Sequence, residues 1–136
     1  MAFVKIKSKG VALLQSVSAS YVAMSGLTSI NVTGEKSETY DSTTLDGTAY
    51  KTQDPSGYVN TATIKASGFF DPLHATYTNF ATIVATPVAT NFKITYTDSS
   101  PTSVVYSGAG FGIDKKVEMG KAVMADLEIV TSGAPS

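Results

Sequence analysis

The chain has 136 residues and a formal net charge of −1, with no cysteine and no tryptophan, which suits one domain that folds without cross-links. The missing cysteine excludes a disulfide framework, a thiolate zinc site and a cysteine nucleophile. All ten basic residues are lysines and His74 is the one histidine, so a bidentate guanidinium grip on phosphate and a multi-histidine metal site are both excluded.

Serine and threonine make up about a quarter of the chain and, with scattered Val and Ile, lean it toward β structure. Phe3 to Lys7 interleaves lysines with apolar residues, a β-like start. Lys5, Lys7 and Lys9 precede Val11-Ala12-Leu13-Leu14 and then the small residues Ser18-Ala19-Ser20, a loose imitation of a signal peptide. Its apolar run of about four residues falls short of the ~7–15 a signal needs, and none reaches the roughly 18–20 of a membrane span. Val11 to Ser16 reads as a short strand or a lead-in to one. Over Leu27 to Thr33, Ile30 and Val32 alternate with Ser29, Asn31 and Thr33, the half-buried strand period. Asn31-Val32-Thr33 matches a glycosylation acceptor, which means nothing without secretion, and the polar face of a strand is the better reading. A polar stretch follows over about 35–57, punctuated by Gly47, Pro55 and Gly57 and without sustained period, which reads as a long loop.

Tyr58 to Phe70 is rich in Thr, Val and Ile and reads as one long strand. Asp71-Pro72 then supplies an N-cap and a first-turn proline, predicting a helix over about 72–86 that Pro87 stops. Leu73, Tyr77, Phe80 and Val84 fall on one helical face, expected to pack on a sheet. His74 lies beside that stripe as a solvated or core-edge residue. Asn91 to Asp98 alternates, Asp98-Ser99-Ser100-Pro101 is a turn cluster, and Thr102 to Ser107 completes a hairpin. Gly108, Gly110 and Gly112 fail the dinucleotide pattern at Ile113 and read as a bulged or bent strand. Val123, Ala125, Leu127 and Ile129 alternate with Met124, Asp126, Glu128 and Val130 in a terminal strand, and Ser132 to Ser136 reads as a frayed tail. No internal repeat and no domain boundary is visible.

Catalytic chemistry is hard to assemble from these residues. His74 has no nucleophile elbow to serve. Asp126 and Glu128 share a strand face, as many solvated pairs do, without a diagnostic spacing. Asp41, Asp46 and Asp54 do not match a calcium loop. The expectation is a non-enzymatic protein that needs no cofactor or metal.

Leu27-Thr28-Ser29-Ile30-Asn31-Val32-Thr33-Gly34, followed by Tyr40-Asp41-Ser42-Thr43-Thr44-Leu45-Asp46, resembles the tail tube (major tail) proteins of long-tailed bacteriophages. The resemblance continues through Tyr58 to Gly68, the Phe69-Phe70-Asp71-Pro72 junction before the helix, and the Gly-bearing end at Thr131-Ser132-Gly133. Ser42 stands where that family commonly has valine. The resemblance implies a mainly β, sandwich- or barrel-like tail-tube domain over 1–136 with one flanking helix. It implies hexameric rings that stack into a hollow tube around a tape-measure protein and conduct the genome. Tail terminator and baseplate or tip proteins would be further partners, with no specific DNA binding and no membrane. The setting implied is a virion tail assembled in the host cytoplasm.

Within that resemblance two sets of charges are candidate contacts. The acids Glu35, Glu38, Asp41, Asp46 and Asp54, with Lys51 among them, would reach an adjacent subunit or ring. There they would meet Lys5, Lys7 and Lys9. Asp126 and Glu128 are candidates for a phosphate-repelling lumen, with the outer sheet as the other location. Two alternatives stay open. One is an extracellular β-sandwich module binding carbohydrate or an adhesion partner, with Tyr21, Tyr40, Tyr50, Tyr58, Tyr96 and Tyr106 as a platform. The other is the inner tube of a contractile injection machine.

Overall fold

A computed structural model describes residues 5–44, 50–98 and 100–136. Strands β1 (Ala12–Val17), β2 (Ser20–Ala23), β3 (Leu27–Thr33), β4 (Lys36–Asp41), β5 (Gln53–Asn60) and β6 (Thr63–Phe69) precede helix α1 (Ala75–Ala85). Strands β7 (Thr90–Thr95), β8 (Ser103–Lys116) and β9 (Met124–Ser132) follow it. Seven strands make one sheet in the order β2-β1-β7-β8-β9-β6-β3, and β4 and β5 make a second. Every pairing is antiparallel.

The connectivity forces the large sheet to roll. Its two edge strands, β2 and β3, are joined only by Met24-Ser25-Gly26. In a flat sheet six strand spacings would hold those edges about 29 Å apart. The Cα steps from Ala23 to Leu27 reach about 15 Å at most. The link is tied to both sides, with Met24 N donating to Leu13 O at 2.9 Å and Phe69 N donating to Gly26 O at 3.0 Å. The result is the expected barrel-like form, left open between β1 and β3 by a cleft of about 420 Å³.

Period-two alternation fills the roll. Ala125, Leu127, Ile129 and Thr131 of β9 point inward, as do Ile64 and Ala66 of β6 and Phe92 and Ile94 of β7. Helix α1 closes over them, with Phe80 edge-on to Phe92 and to Phe111 at 6.3 Å each. The glycine-rich bend is borne out, since the β8–β9 register shifts between Gly108 and Gly110.

Several boundaries differ from the sequence reading. The helix starts at Ala75, not near Pro72, because Asp71 Oδ1 accepts from Leu73 N at 3.1 Å and caps a separate turn. His74 is the true N-cap, its Nδ1 accepting from Thr76 N at 3.1 Å. Leu73 therefore sits outside the packing face and is 89% exposed. The buried face is Thr76, Tyr77, Phe80 and Ile83, with Val84 half-buried beside it. The segment read as one strand from Tyr58 breaks at Thr61-Ala62. The tail is not frayed at its end, because Ser136 N and O both bond to Val105, at 2.9 and 2.8 Å.

The larger correction concerns the stretch read as an irregular loop over about 35–57, where Lys36–Asp41 and Gln53–Asn60 pair as antiparallel strands. Thr33 faces Thr63, and Lys36 faces Asn60 in the same register. Strands β3–β4 and β5–β6 are thus one long hairpin interrupted at Gly34-Glu35 and Thr61-Ala62. Gly34 has φ +90, a turn conformation that suits glycine. The Ala62 carbonyl is captured by both the N and the Oγ1 of Thr131. Beyond this hinge, β4 and β5 leave the roll as an arm.

The β7–β8 connection gives one pH prediction. Asp98 accepts from Thr102 N at 2.7 Å and Thr102 Oγ1 at 2.6 Å, and these bonds hold its carboxyl below the ordinary value. A depressed carboxyl stabilises above its unfolded value and loses that contribution as pH falls through the folded one. The stability gap between wild type and Asp98→Ala should therefore close on acidification below about pH 4. Urea titrations at pH 7 and pH 3 check this, and an unchanged gap would refute it.

Candidate functional site

The arm exposes both faces. Every residue of β4 is exposed, and so is β5 apart from half-buried Ser56. It is held by its own ladder and by threonines near its tip, where Ser42 N donates to Thr52 O at 3.0 Å and Thr52 N donates to Thr43 Oγ1 at 2.8 Å. A ribbon with no buried side is marginal alone. Tyr40, Tyr50, Tyr58 and Val59 are nevertheless exposed along it.

The predicted arm charges are distributed along this ribbon. Glu35 lies at the hinge, where Tyr106 OH approaches its Oε1 at 3.5 Å. Burial, then the Glu35 charge, raises the Tyr106 phenol above its usual range. Glu38 and Asp41 sit on β4, Lys51 beside the tip, and Asp54 on β5 opposite Tyr40. Hydrogen bonding from Thr43 lowers the Asp41 carboxyl. Asp46 lies outside the described residues. Lys5, Lys7 and Lys9 are exposed ahead of β1, tethered where Thr97 Oγ1 donates to Lys7 O at 2.7 Å. Among the described residues the salt bridges are Lys116–Glu118 and Lys121–Glu118, and among them none joins these lysines to Glu35, Glu38, Asp41 or Asp54.

Asp126 and Glu128 both lie on the sheet face turned away from the core. Register adds partners that sequence reading missed. Asp126 stands between Ser67 and Asp114, and Ser67 Oγ donates to its Oδ1 at 2.7 Å. Glu128 stands beside Lys65. Three carboxylates and one lysine thus share a shallow polar surface across β6, β9 and β8. Lys65 could have been found from the alternation of its own strand, but Asp114 needed the β8–β9 register.

Other features narrow the chemistry. Among the described residues no group of three or more His, Cys, Asp or Glu could hold a metal ion. Among them, too, no helix is long and apolar enough to cross a membrane. The tyrosines proposed as a sugar platform do not converge, since Tyr106 is buried in the roll and Tyr40 and Tyr58 ride on the arm. Tyr21 lies on edge strand β2 under the Lys93 ammonium, 4.5 Å from the ring centre. What the surface does offer is open backbone. Strands β2 and β3 each pair on one side only within the sheet. Unpaired edges of this kind serve as templates for another chain.

No family model and no curated protein matches the chain by sequence. Solved structures do match its fold. A chain from the tail of an empty gene transfer agent (GTA) particle, of C6 symmetry, aligns with TM-score 0.74 and 18% identity over 96% of both chains. A chain from the virion of a native gene transfer agent particle aligns with TM-score 0.71 and 19% identity, again over 96% of both. A chain from the sheath/tube terminator of an extracellular contractile injection system aligns with TM-score 0.63 and 8% identity, over 100% of this chain and 98% of that one. The fold is therefore that of chains found in phage-like tails and injection machines, and the likeness spans almost the whole of each.

Proposed function

We propose that the chain is the tail tube subunit of a phage-like particle, a structural virion protein rather than an enzyme. In this reading one domain over 1–136 forms hexameric rings that stack into a hollow tube. The observation that carries it is the fold match over 96% of both chains to a tail of C6 symmetry. The open edges of β2 and β3 support it, because a closed ring can pair every edge with a neighbour. A tape-measure protein would fill the tube during assembly in the host cytoplasm. Terminator and baseplate or tip proteins would finish its ends.

The outer face carrying Asp114, Asp126 and Glu128 is assigned to the lumen. Its net negative charge would repel phosphate, and lysines there would instead release counterions and retain DNA. Reversing Asp126→Lys and Glu128→Lys together should slow genome ejection several-fold in a single-particle assay. Unchanged ejection would remove the lumen assignment.

The arm is assigned to contacts between subunits, with its acids meeting Lys5, Lys7 and Lys9 of a neighbour. Exposed pairs contribute roughly 0–1 kcal/mol each, so they set register while apolar burial drives association. Replacing Lys36–Asn60 by a short turn should leave a folded roll that forms no tubes, judged by circular dichroism and negative-stain microscopy. Normal tubes from that variant would refute the role.

The reading as a whole is tested by electron microscopy and light scattering of the purified chain at rising concentration. Sixfold rings and hollow tubes are expected. A chain that stays monomeric even with its tip complex would overturn it. The terminator likeness favours one second reading, the inner tube of a contractile injection machine. A sheath around the tube in particles from the producing cell would select it.

A further inference from the structure

The sheet face turned away from the core is apolar as well as acidic. Register lays it out in rows across β6, β9 and β8. Thr63, Val130 and Gly110 stand in the first row, and Lys65, Glu128 and Gly112 in the second. Ser67, Asp126 and Asp114 follow in the third, and Phe69, Met124 and Lys116 in the fourth. Val130 is 44% exposed and Phe69 53%. Apolar side chains therefore flank the three carboxylates on both sides. From Val130 to Met124 the face runs about 20 Å, the length of about 14 helical residues.

The first two rows carry no side chain on β8. A Cβ on Gly112 would meet nothing within 4 Å, and one on Gly110 would meet only the Val130 side chain. A strand bared by glycine lets another backbone approach closely. The shallow pocket over Lys65, Asp126 and Glu128 holds about 320 Å³.

Passage of a duplex genome accounts for only part of this surface. The carboxylates repel phosphate, but Phe69 and Val130 offer nothing to a duplex that turns its phosphates to the wall. Half-exposed apolar side chains gain by burial against another apolar surface. Charge defines the rest of the partner. Lys116 is bridged to Glu118 at 3.0 Å, so Asp114, Asp126 and Glu128 face Lys65 as the one other cation in these rows. A surface that complements both features bears apolar side chains together with lysine or arginine.

Resting on the lumen assignment, we propose that this face binds a polypeptide, a basic amphipathic segment lying along β9. Its apolar side chains cover Val130 and Phe69, and its cations meet Asp114 and Asp126. DNA passes the same wall without binding.

The test uses the purified full-length chain below the concentration at which it assembles, with labelled probes read by fluorescence anisotropy. The probes are a leucine–lysine helix of about 14 residues, an oligolysine of equal charge and a DNA duplex of about 20 base pairs. The leucine–lysine helix should bind about tenfold or more tightly than oligolysine, and the duplex should not bind. Phe69→Ser/Val130→Ser should abolish that preference and leave oligolysine binding unchanged. Val130→Thr keeps the shape of the side chain, so it guards against misfolding, and it should lose part of the preference. Asp114→Asn/Asp126→Asn should weaken both peptides. Val88→Ser, at a 60%-exposed position between α1 and β7, should change neither. Equal binding of the two peptides, an equal loss in Val88→Ser, or tight binding of the duplex would overturn the polypeptide assignment. Tubes seen by microscopy beside any of those results would leave the tube reading standing. The preference in a chain that never forms tubes would overturn the tube reading and with it the placement in a lumen.

Discussion

Phe80→Ala should cost about 3–5 kcal/mol, the usual range for emptying a buried aromatic site. Phe80 has no exposed surface and joins three elements, with its ring against Phe92 of β7 and Phe111 of β8. Those contacts hold α1 on the roll, so the cavity would open where helix and sheet meet. A domain stable by about 5–15 kcal/mol loses much of its margin at that cost. Thermal melts followed by circular dichroism should drop by roughly 10–20 °C. Leu73→Ala is the matched control and should stay within about 0.5 kcal/mol, as surface substitutions do. A large effect at Leu73 would restore the longer helix that Asp71-Pro72 suggests and would refute the capping seen at His74.

Gly68→Ala should also be destabilising, for the opposite reason. A Cβ there would lie 2.6 Å from Gly26 O and 2.9 Å from Leu27 Cα, both backbone atoms that cannot rotate away. Phe69 N donates to that same Gly26 carbonyl, so relief would come at the expense of the bond that ties the β2–β3 link to β6. Overpacking of this kind costs about 1–3 kcal/mol, and Gly68→Val should exceed it. Gly112→Ala, with no atom within 4 Å of the added carbon, should be nearly neutral. Urea midpoints for the three variants check the order. Equal midpoints for Gly68→Ala and Gly112→Ala would show that Gly68 does not pack against Gly26 and Leu27 as described.

The two substitutions also mark where sequence reading works. Strands β3 and β9 were legible because one side of each meets the core, which imposes the alternation of Ile30 and Val32 or of Ala125, Leu127 and Ile129. The arm was not legible because neither of its faces is buried. Nothing then selects apolar residues at every second position, and Lys36–Asp41 reads as polar loop. The helix start was misplaced by a local competition, since Asp71 caps a turn as readily as a helix.

Composition alone excluded thiol chemistry, multi-histidine metal sites and guanidinium recognition, because those need residues the chain lacks. Alternation alone marked the core-facing residues of β7 and β9, because burial on one side of a strand leaves a local trace. The roll, the register that carries from Thr33 and Thr63 into the base of β4–β5, and the gathering of Asp114 with Asp126 were decided by tertiary structure. Each depends on pairings between residues far apart in the chain, and a hydrogen bond between two backbones leaves no mark on the side chains that carry them.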